Sequence, residues 1–263
     1  MPGLAPVTPF ASVRRADNPG PMTLDGTRSY VLRAPGAPSA VVVDPGPDDA
    51  VHLGALASGP VELVLVTHRH ADHTAGSTAL HAMTGSPVRA ADLAHCHGAS
   101  AAPLRGGEVI EAAGLRIEVL ATPGHTADSV SFVVRAPGED PVVLTGDTVL
   151  GRGTTVIAAP DGSLGDYLAS LDVLERAGDG RRGLPAHGPV IEDLGTAVRA
   201  YREHRLERLD QVRAVLAELG SDATVGDVVA RVYADVDASV IGAARQSVAA
   251  QLHYLRTLPS TDT

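Results

Sequence analysis

Residues Thr67-His68-Arg69-His70-Ala71-Asp72-His73 place three histidines and an aspartate within six positions, directly after the apolar run Val61-Glu62-Leu63-Val64-Leu65-Val66. A buried strand that ends in imidazole nitrogens and a carboxylate offers the N and O donors that zinc prefers. The cluster is read first as a metal site. His68 and His70, at i and i+2, can bind one ion together, whereas Asp72 and His73 in the next turn point elsewhere and suit a second.

Three further segments share the design of an apolar run, a Gly or Pro, and a donor side chain. Arg116 to Ala121 leads into Thr122-Pro123-Gly124-His125-Thr126, and Pro141 to Leu144 leads into Thr145-Gly146-Asp147-Thr148. Leu184-Pro185-Ala186-His187-Gly188 follows a short hydrophobic step. Donors leaving four strand ends can converge on one sheet edge. In this order the residues resemble the dinuclear signature of the metallo-β-lactamase fold over roughly residues 15–190, with suitable types at all the ligand positions. The resemblance implies His68, His70 and His125 on a first zinc ion, Asp72, His73 and His187 on a second, and Asp147 bridging both, for two Zn2+ per chain. Two metals about 3.5 to 4 Å apart clamp a shared hydroxide, and zinc-bound water ionises near pH 7 instead of ~15.7, so no Ser, Cys or Lys nucleophile is required. Asp72 is expected to orient that hydroxide and to accept its proton.

Departures from relatives of the same fold narrow the chemistry. Lactam-cleaving members that use Cys place it where Asp147 stands, and the only cysteine, Cys96, lies outside the motifs, which disfavours a true β-lactamase. Di-iron members carry Glu where this chain has His70, which favours zinc; a mononuclear iron sulfur-dioxygenase shares the His-x-His-x-Asp-His run, so iron stays open.

The 263 residues hold one large domain, or one of about 190 with a smaller one. There is no lysine; all 21 basic residues are arginine, and net charge is −10. That sign opposes long-range attraction of polyanions, although residues 199 to 213 carry five arginines against three acids. The start, Met1-Pro2-Gly3-Leu4-Ala5-Pro6, lacks a basic segment followed by an apolar one, and no stretch approaches ~20 apolar residues. A soluble cytoplasmic protein without an internal disulfide is expected, with no membrane contact and no protein partner predicted.

Strand-like and helix-like segments alternate to about residue 190: strands at 40–44, 61–67, 115–121, 129–135 and 142–144, helices at 74–84 and 165–177. With the resemblance, this implies an α/β fold, the metallo-β-lactamase αβ/βα four-layer sandwich, over residues 1–192. From 193 to 263 the periodicity is helical, and the tail resembles the small, mostly helical, winged-helix-like domain of the beta-lactamase-like protein 2 branch. That branch carries Gly-Thr-Asn-Thr-Tyr where this chain reads Gly26-Thr27-Arg28-Ser29-Tyr30, and Pro-Gly-His-Gly where it reads Pro185-Ala186-His187-Gly188. The first change falls near the expected substrate mouth.

The expected activity is a zinc-dependent metallo-hydrolase. Branch resemblance puts single-stranded RNA cleavage first, and related members imply thioesters of glutathione, acyl-carrier protein or coenzyme A as the alternative. A non-catalytic nucleic-acid-binding protein using the tail is a third reading, opposed by the intact donor set. Arg152, Thr154 and Thr155, in the loop after Asp147, are expected to touch substrate. Arg199, Arg202, Arg205 and Arg208 are expected to form a stripe on one helix face, solvated or tracking phosphates. His52, His81, His95, His97, His204 and His253 are assigned to surface or packing roles.

Overall fold

The structure is a computed structural model that describes residues 3–99, 101–157, 160–234 and 241–257. Its strands are β1 (Ala5–Thr8), β2 (Ala11–Arg15), β3 (Arg28–Leu32), β4 (Ala40–Val43), β5 (Val61–Leu65), β6 (Val88–Arg89), β7 (Val109–Ala112), β8 (Leu115–Ala121), β9 (Val130–Arg135), β10 (Val142–Gly146) and β11 (Arg182–Pro185). The helices are α1 (Ala50–Leu56), α2 (Ala71–Thr74), α3 (Ser77–Thr84), α4 (Leu164–Gly178), α5 (Leu194–Leu219), α6 (Val225–Val232) and α7 (Ile241–Thr257).

Two sheets form, in orders β1-β2-β3-β4-β5-β6 and β11-β10-β9-β8-β7. Their central strands read as unbroken apolar runs because both faces are covered, so side chains alternate between two cores instead of between core and water. Val41, Val43, Leu63 and Leu65 point into the space between the sheets, where they meet Ile117, Val119, Phe132, Val134 and Leu144. Val42, Val64 and Val66 point the other way, onto Leu53, Leu56 and Leu80 of α1 and α3. On the far side Val133 and Val143 pack against Tyr167, Leu171 and Leu174 of α4 and against Leu194, Val198 and Tyr201 of α5. The result is the four-layer α/β/β/α sandwich.

Strand directions bring the donor segments to one edge. β8 and β10 both pair antiparallel with β9, so they run the same way, and β11 is parallel to β10. The segments that follow β8, β10 and β11 therefore leave the second sheet at one side. β4 and β5 are likewise parallel in the first sheet. The edges are stitched together by Val130 N–H donating to the Thr67 carbonyl at 2.8 Å, Arg28 N–H to that of Ala186 at 2.8 Å, and the Tyr30 hydroxyl to that of Pro185 at 2.8 Å.

The helix expected over 74–84 is two: α2 and α3 part at Ala75-Gly76, where a Cβ on Gly76 would lie 2.7 Å from Leu53 Cδ2. The tail consists of α5, α6 and α7 and, among the described residues, has no strand. Val212, Val228, Val229, Val248 and Leu252 give it a core of its own, while the first half of α5 belongs to the core shared with α4. Among the described residues no helix is long and apolar enough to cross a membrane.

His52, on α1, is 2% exposed and its Nε2 lies 2.8 Å from Ser29 Oγ on β3. This contact pins the turn at Gly46, which donates to the His73 carbonyl and accepts from Gly76 N–H. Burial first, then nearby Arg14, lowers the His52 pKa to about 4 from the ordinary 6.5. The unfolded chain thus takes up a proton that the fold refuses, so the His52 contribution is complete above pH 6.5 and declines as pH falls toward 4. Denaturant titrations at pH 7.5 and 5 are expected to show the wild type losing about 1 to 2 kcal/mol more than His52→Gln over that interval; equal losses contradict this account.

Candidate metal centre

Each donor is placed by the end of a strand. His68 follows β5 by way of Val66 and Thr67, and His70 opens α2, whose single turn carries Asp72 and His73. His125 follows β8, Asp147 follows β10 directly, and His187 follows β11. Two glycines permit the close approach. Gly146 has φ +50°, and a Cβ there would sit 2.8 Å from Thr67 Cβ and Oγ1; Gly124 has φ +131°, and a Cβ there would sit 2.4 Å from the Tyr167 backbone.

All of the sequence-predicted donors come together. The atoms of His68, His70, His125 and Asp147 lie within 4.8 Å of one another, and so do those of Asp72, His73 and His187. In the first group His68 Nε2 and His70 Nδ1 are 2.9 Å apart, and His70 Nδ1 and His125 Nε2 are 3.0 Å apart. In the second, Asp72 Oδ2 is 3.3 Å from Nε2 of both His73 and His187. Asp147 faces both: Oδ2 lies 3.7 Å from His125 Nε2 and 4.0 Å from His68 Nε2, while Oδ1 lies 3.2 Å from His187 Nε2 and 3.6 Å from His73 Nε2.

The outward nitrogens are held as well. His125 Nδ1 lies 2.7 Å from the Val156 carbonyl and 3.1 Å from Thr155 Oγ1. A carbonyl can only accept, so Nδ1 carries the hydrogen and Nε2 of the neutral ring presents its lone pair inward. His73 Nδ1 lies 2.9 Å from Asp44 Oδ2, and Asp44 also accepts from Thr67 N–H at 2.7 Å and Thr67 Oγ1–H at 2.8 Å. Thr27 Oγ1 donates to Asp72 Oδ2 at 2.8 Å and is itself held by Asn18 Nδ2 at 3.0 Å.

Charge in the cluster is set by burial and neighbours together. Burial, then the adjacent His73, holds His68 well below the ordinary imidazole range, and burial with His125 lowers His70. Burial also disfavours charge on His73 and His187, but the carboxylates outweigh it: Asp44, Asp72 and Asp147 raise His73 well above 6.5, and Asp147 and Asp72 raise His187 to about 9. In return, Asp72 and Asp147 stay ionised far below the usual carboxylate range despite burial, chiefly through His73 and His187.

The residues expected at the substrate divide. Arg152 and Thr154 are exposed, but Thr155 is 3% exposed and its hydroxyl is turned to His125. It backs a donor and does not face outward, because a residue one step along an extended segment reverses its side. Ser29 is likewise turned inward, to His52. The arginine stripe is also corrected. Steps of three on a 3.6-residue turn drift by about 60° each, so residues 199 and 208 lie on opposite sides of α5. Arg199 reaches Glu175 at 3.5 Å, Arg202 pairs with Asp172, and Arg205 is buried, donating to the Thr155 carbonyl with its guanidinium 5.2 Å from the Tyr167 ring centre.

The sequence reading missed Asp44, Thr27 and Arg205. Asp44 ends Ala40-Val41-Val42-Val43 and is followed by Pro45-Gly46, the same apolar-run-and-donor pattern that located the others. Thr27 lies in the Gly26-Thr27-Arg28-Ser29-Tyr30 segment and Arg205 in the arginine series, but neither position in sequence shows the contact it makes.

Comparison with known proteins agrees with this geometry. The chain is 32% identical over 260 residues to the Beta-lactamase-like protein 2 homolog of Caenorhabditis elegans, covering 89% of this chain and 82% of the relative. It is 32% identical over 225 residues to an atrochrysone carboxyl ACP thioesterase of Aspergillus chevalieri, covering 83% and 69%. The fold matches the crystal structure of a beta-lactamase domain protein from Burkholderia ambifaria with TM-score 0.81 at 21% identity, covering 96% of this chain and 87% of that one. Residues 22–187 match the family model of the Metallo-beta-lactamase superfamily, and the chain, with its His/Asp metal-binding cluster in place, belongs to that superfamily.

Proposed function

We propose that this protein is a dinuclear zinc thioesterase acting on an acyl group carried on a thiol arm. The observation that carries the reading is the Asp147 carboxylate, with one oxygen toward His68 and His125 and the other toward His73 and His187. The donor set fits a pair of cations. His70 Nδ1 faces both His68 Nε2 at 2.9 Å and His125 Nε2 at 3.0 Å, and a single ring proton serves only one of these contacts well, whereas a cation serves all three nitrogens; the buried atoms His73 Nε2 and Asp147 Oδ1 also have no hydrogen-bond partner. Zn2+ bound there supplies Lewis acidity toward the carbonyl and a water acidified toward neutral pH. His68, His70 and His125 would hold the first ion, Asp72, His73 and His187 the second, with Asp147 shared.

The protein's own residues do the rest. Asp72 is held in place by Thr27, so one oxygen is occupied and the carboxylate is oriented to take the proton of the attacking water. Asp44 and the Val156 carbonyl fix the rings of His73 and His125, which removes reorganisation as charge develops. The leaving group discriminates between substrates. A thiol of pKa near 8.5 departs as thiolate without a general acid, whereas cleaving RNA expels an alkoxide that needs a proton. Among the described residues the cluster's outer partners are Thr27, Asp44, Thr67, Thr155 and the Val156 carbonyl, so a leaving alkoxide would depend on Asp72 to return its proton, whereas a thiolate would not. The thioesterase name of the Aspergillus chevalieri relative supports the same choice. Single-stranded RNA, placed first by the sequence, draws no such support, and a net charge of −10 opposes it.

Zinc-loaded protein is expected to hydrolyse acyl thioesters and to leave single-stranded RNA intact, with rates little changed by salt; RNA cleavage that weakens steeply with salt, without thioesterase activity, would overturn the reading. Asp147→Ala should lower the zinc content measured by atomic absorption and abolish turnover. Asp72→Asn keeps the shape and the Thr27 contact but cannot take up a proton. It is expected to fold with an unchanged far-UV spectrum while kcat falls about 10²- to 10⁴-fold; near-normal kcat removes Asp72 from proton transfer.

A further inference from the structure

A cavity of about 560 Å³ lies between the Pro21-Met22 turn, the Thr154 to Val156 segment, α5 and α7. That is ample for a small-molecule subsite. It sits one loop behind the metal-binding cluster, because Thr155 and Val156 line it and also hold His125. Its walls are mixed: Met22, Val156 and Tyr233 are apolar, and His204, Arg205 and Arg208 are basic. Among the described residues no carboxylate lines it, although the chain carries 31 acidic against 21 basic residues.

These two arginines differ from their neighbours on α5. Arg199, Arg202 and Arg213 each meet a carboxylate, of Glu175, Asp172 and Asp210. Among the described residues Arg205 and Arg208 meet none. Arg205 is 4% exposed and, among the described residues, is satisfied only by the Thr155 carbonyl and the Tyr167 ring, with no partner for its Nε. Arg208 lies over the Tyr233 ring at 5.0 Å and donates to Gln211 Oε1 at 2.9 Å and to the Val232 carbonyl at 3.5 Å, so among the described residues it meets only neutral partners. His204 shares this wall, and its protonation is disfavoured by burial and then by Arg205 and Arg208, against the opposing pull of Glu207. Positive charge on low-dielectric walls selects an anion, and the planar guanidinium suits phosphate oxygens.

We infer that this cavity, with Arg208 at its wall and Arg205 behind it, is a subsite for the phosphate end of a phosphopantetheine arm whose thioester lies at the metal-binding cluster. The inference rests on the thioesterase reading and specifies its substrate class. A long, uncharged, amide-bearing stem with a phosphate at its far end matches a cavity of mixed walls that is basic at one side and separated from the cluster by a single loop.

Calorimetry on the full chain tests it with S-methyl-4′-phosphopantetheine and S-methyl-pantetheine. Neither contains a thioester and neither offers a thiolate to the metal, so binding is read independently of hydrolysis. The phosphorylated compound is expected to bind about tenfold or more tightly, with the difference abolished in Arg208→Gln and largely kept in Arg208→Lys. Equal affinity for the two compounds overturns the subsite, as does a preference that survives Arg208→Gln in protein of unchanged melting temperature. Tighter, Arg208-dependent binding of a short single-stranded RNA than of phosphopantetheine also overturns it, in favour of a polynucleotide. S-methyl coenzyme A and a carrier protein bearing the S-methyl arm distinguish the source of the phosphate, and Arg208-dependence with either supports the subsite. Arg208-dependent phosphopantetheine binding by a protein that hydrolyses no thioester upholds the subsite and refutes only the thioesterase reading; hydrolysis without that binding does the reverse.

Discussion

One carboxylate, that of Asp147, stands between two sets of imidazoles and is shared by both. Most of what surrounds it follows from the cost of that arrangement. Collecting five histidines and two aspartates where little water reaches is unfavourable unless every charge and lone pair is opposed. The acids oppose one another unless positive charge lies between them, and the buried nitrogens cannot turn to solvent. Positive charge between the two acids, whether on the imidazoles or on a bound cation, relieves that cost, and the donors are held in place by a rigid frame.

The frame is the sandwich, and its strand directions explain why it can hold the site. Because β8, β10 and β11 run the same way, the segments beyond them are neighbours regardless of their distance in sequence. The close approach is then a matter of small volumes. Gly146 lets Asp147 leave β10 against the Thr67 side chain, and Thr67 donates to Asp44, which orients His73. A methyl group at Gly146 pushes on the same threonine that positions a donor ring, so packing and chemistry are not separable here.

The donors were legible in sequence because each is local to a strand end: a short apolar run, a turn residue, a histidine or aspartate. Spacing also separated His68 and His70 from Asp72 and His73, whereas the places of His125, His187 and Asp147 came from the family resemblance. What sequence spacing could not show were relations across the fold. Thr27 reaches Asp72 over a separation of 45 residues, and Arg205 reaches Thr155 over 50. Asp44 was within reach of the same pattern, but unlike Asp147 it does not fall on a ligand position of the family signature, and a single acid after a strand does not by itself announce a role. The arginine series misled because a three-residue repeat resembles a face while winding around the helix. Its members end in three environments: paired with α4, buried behind the donor loop, and facing a cavity.

Those environments give the tail its connection to the site. α5 packs on α4 through Leu194, Val198 and Tyr201, and the Tyr201 hydroxyl accepts from Leu150 N–H at 2.9 Å. One turn further along, Arg205 holds the Thr155 carbonyl, and Thr155 and Val156 hold His125. The segment after Asp147 is therefore fixed at both ends by the same helix. A displacement of α5 moves the backing of His125 and the wall of the basic cavity together. Occupancy of that cavity and the orientation of a metal-binding ring thus draw on one set of contacts, and a ligand that orders Thr154 to Val156 also stiffens the donor they support.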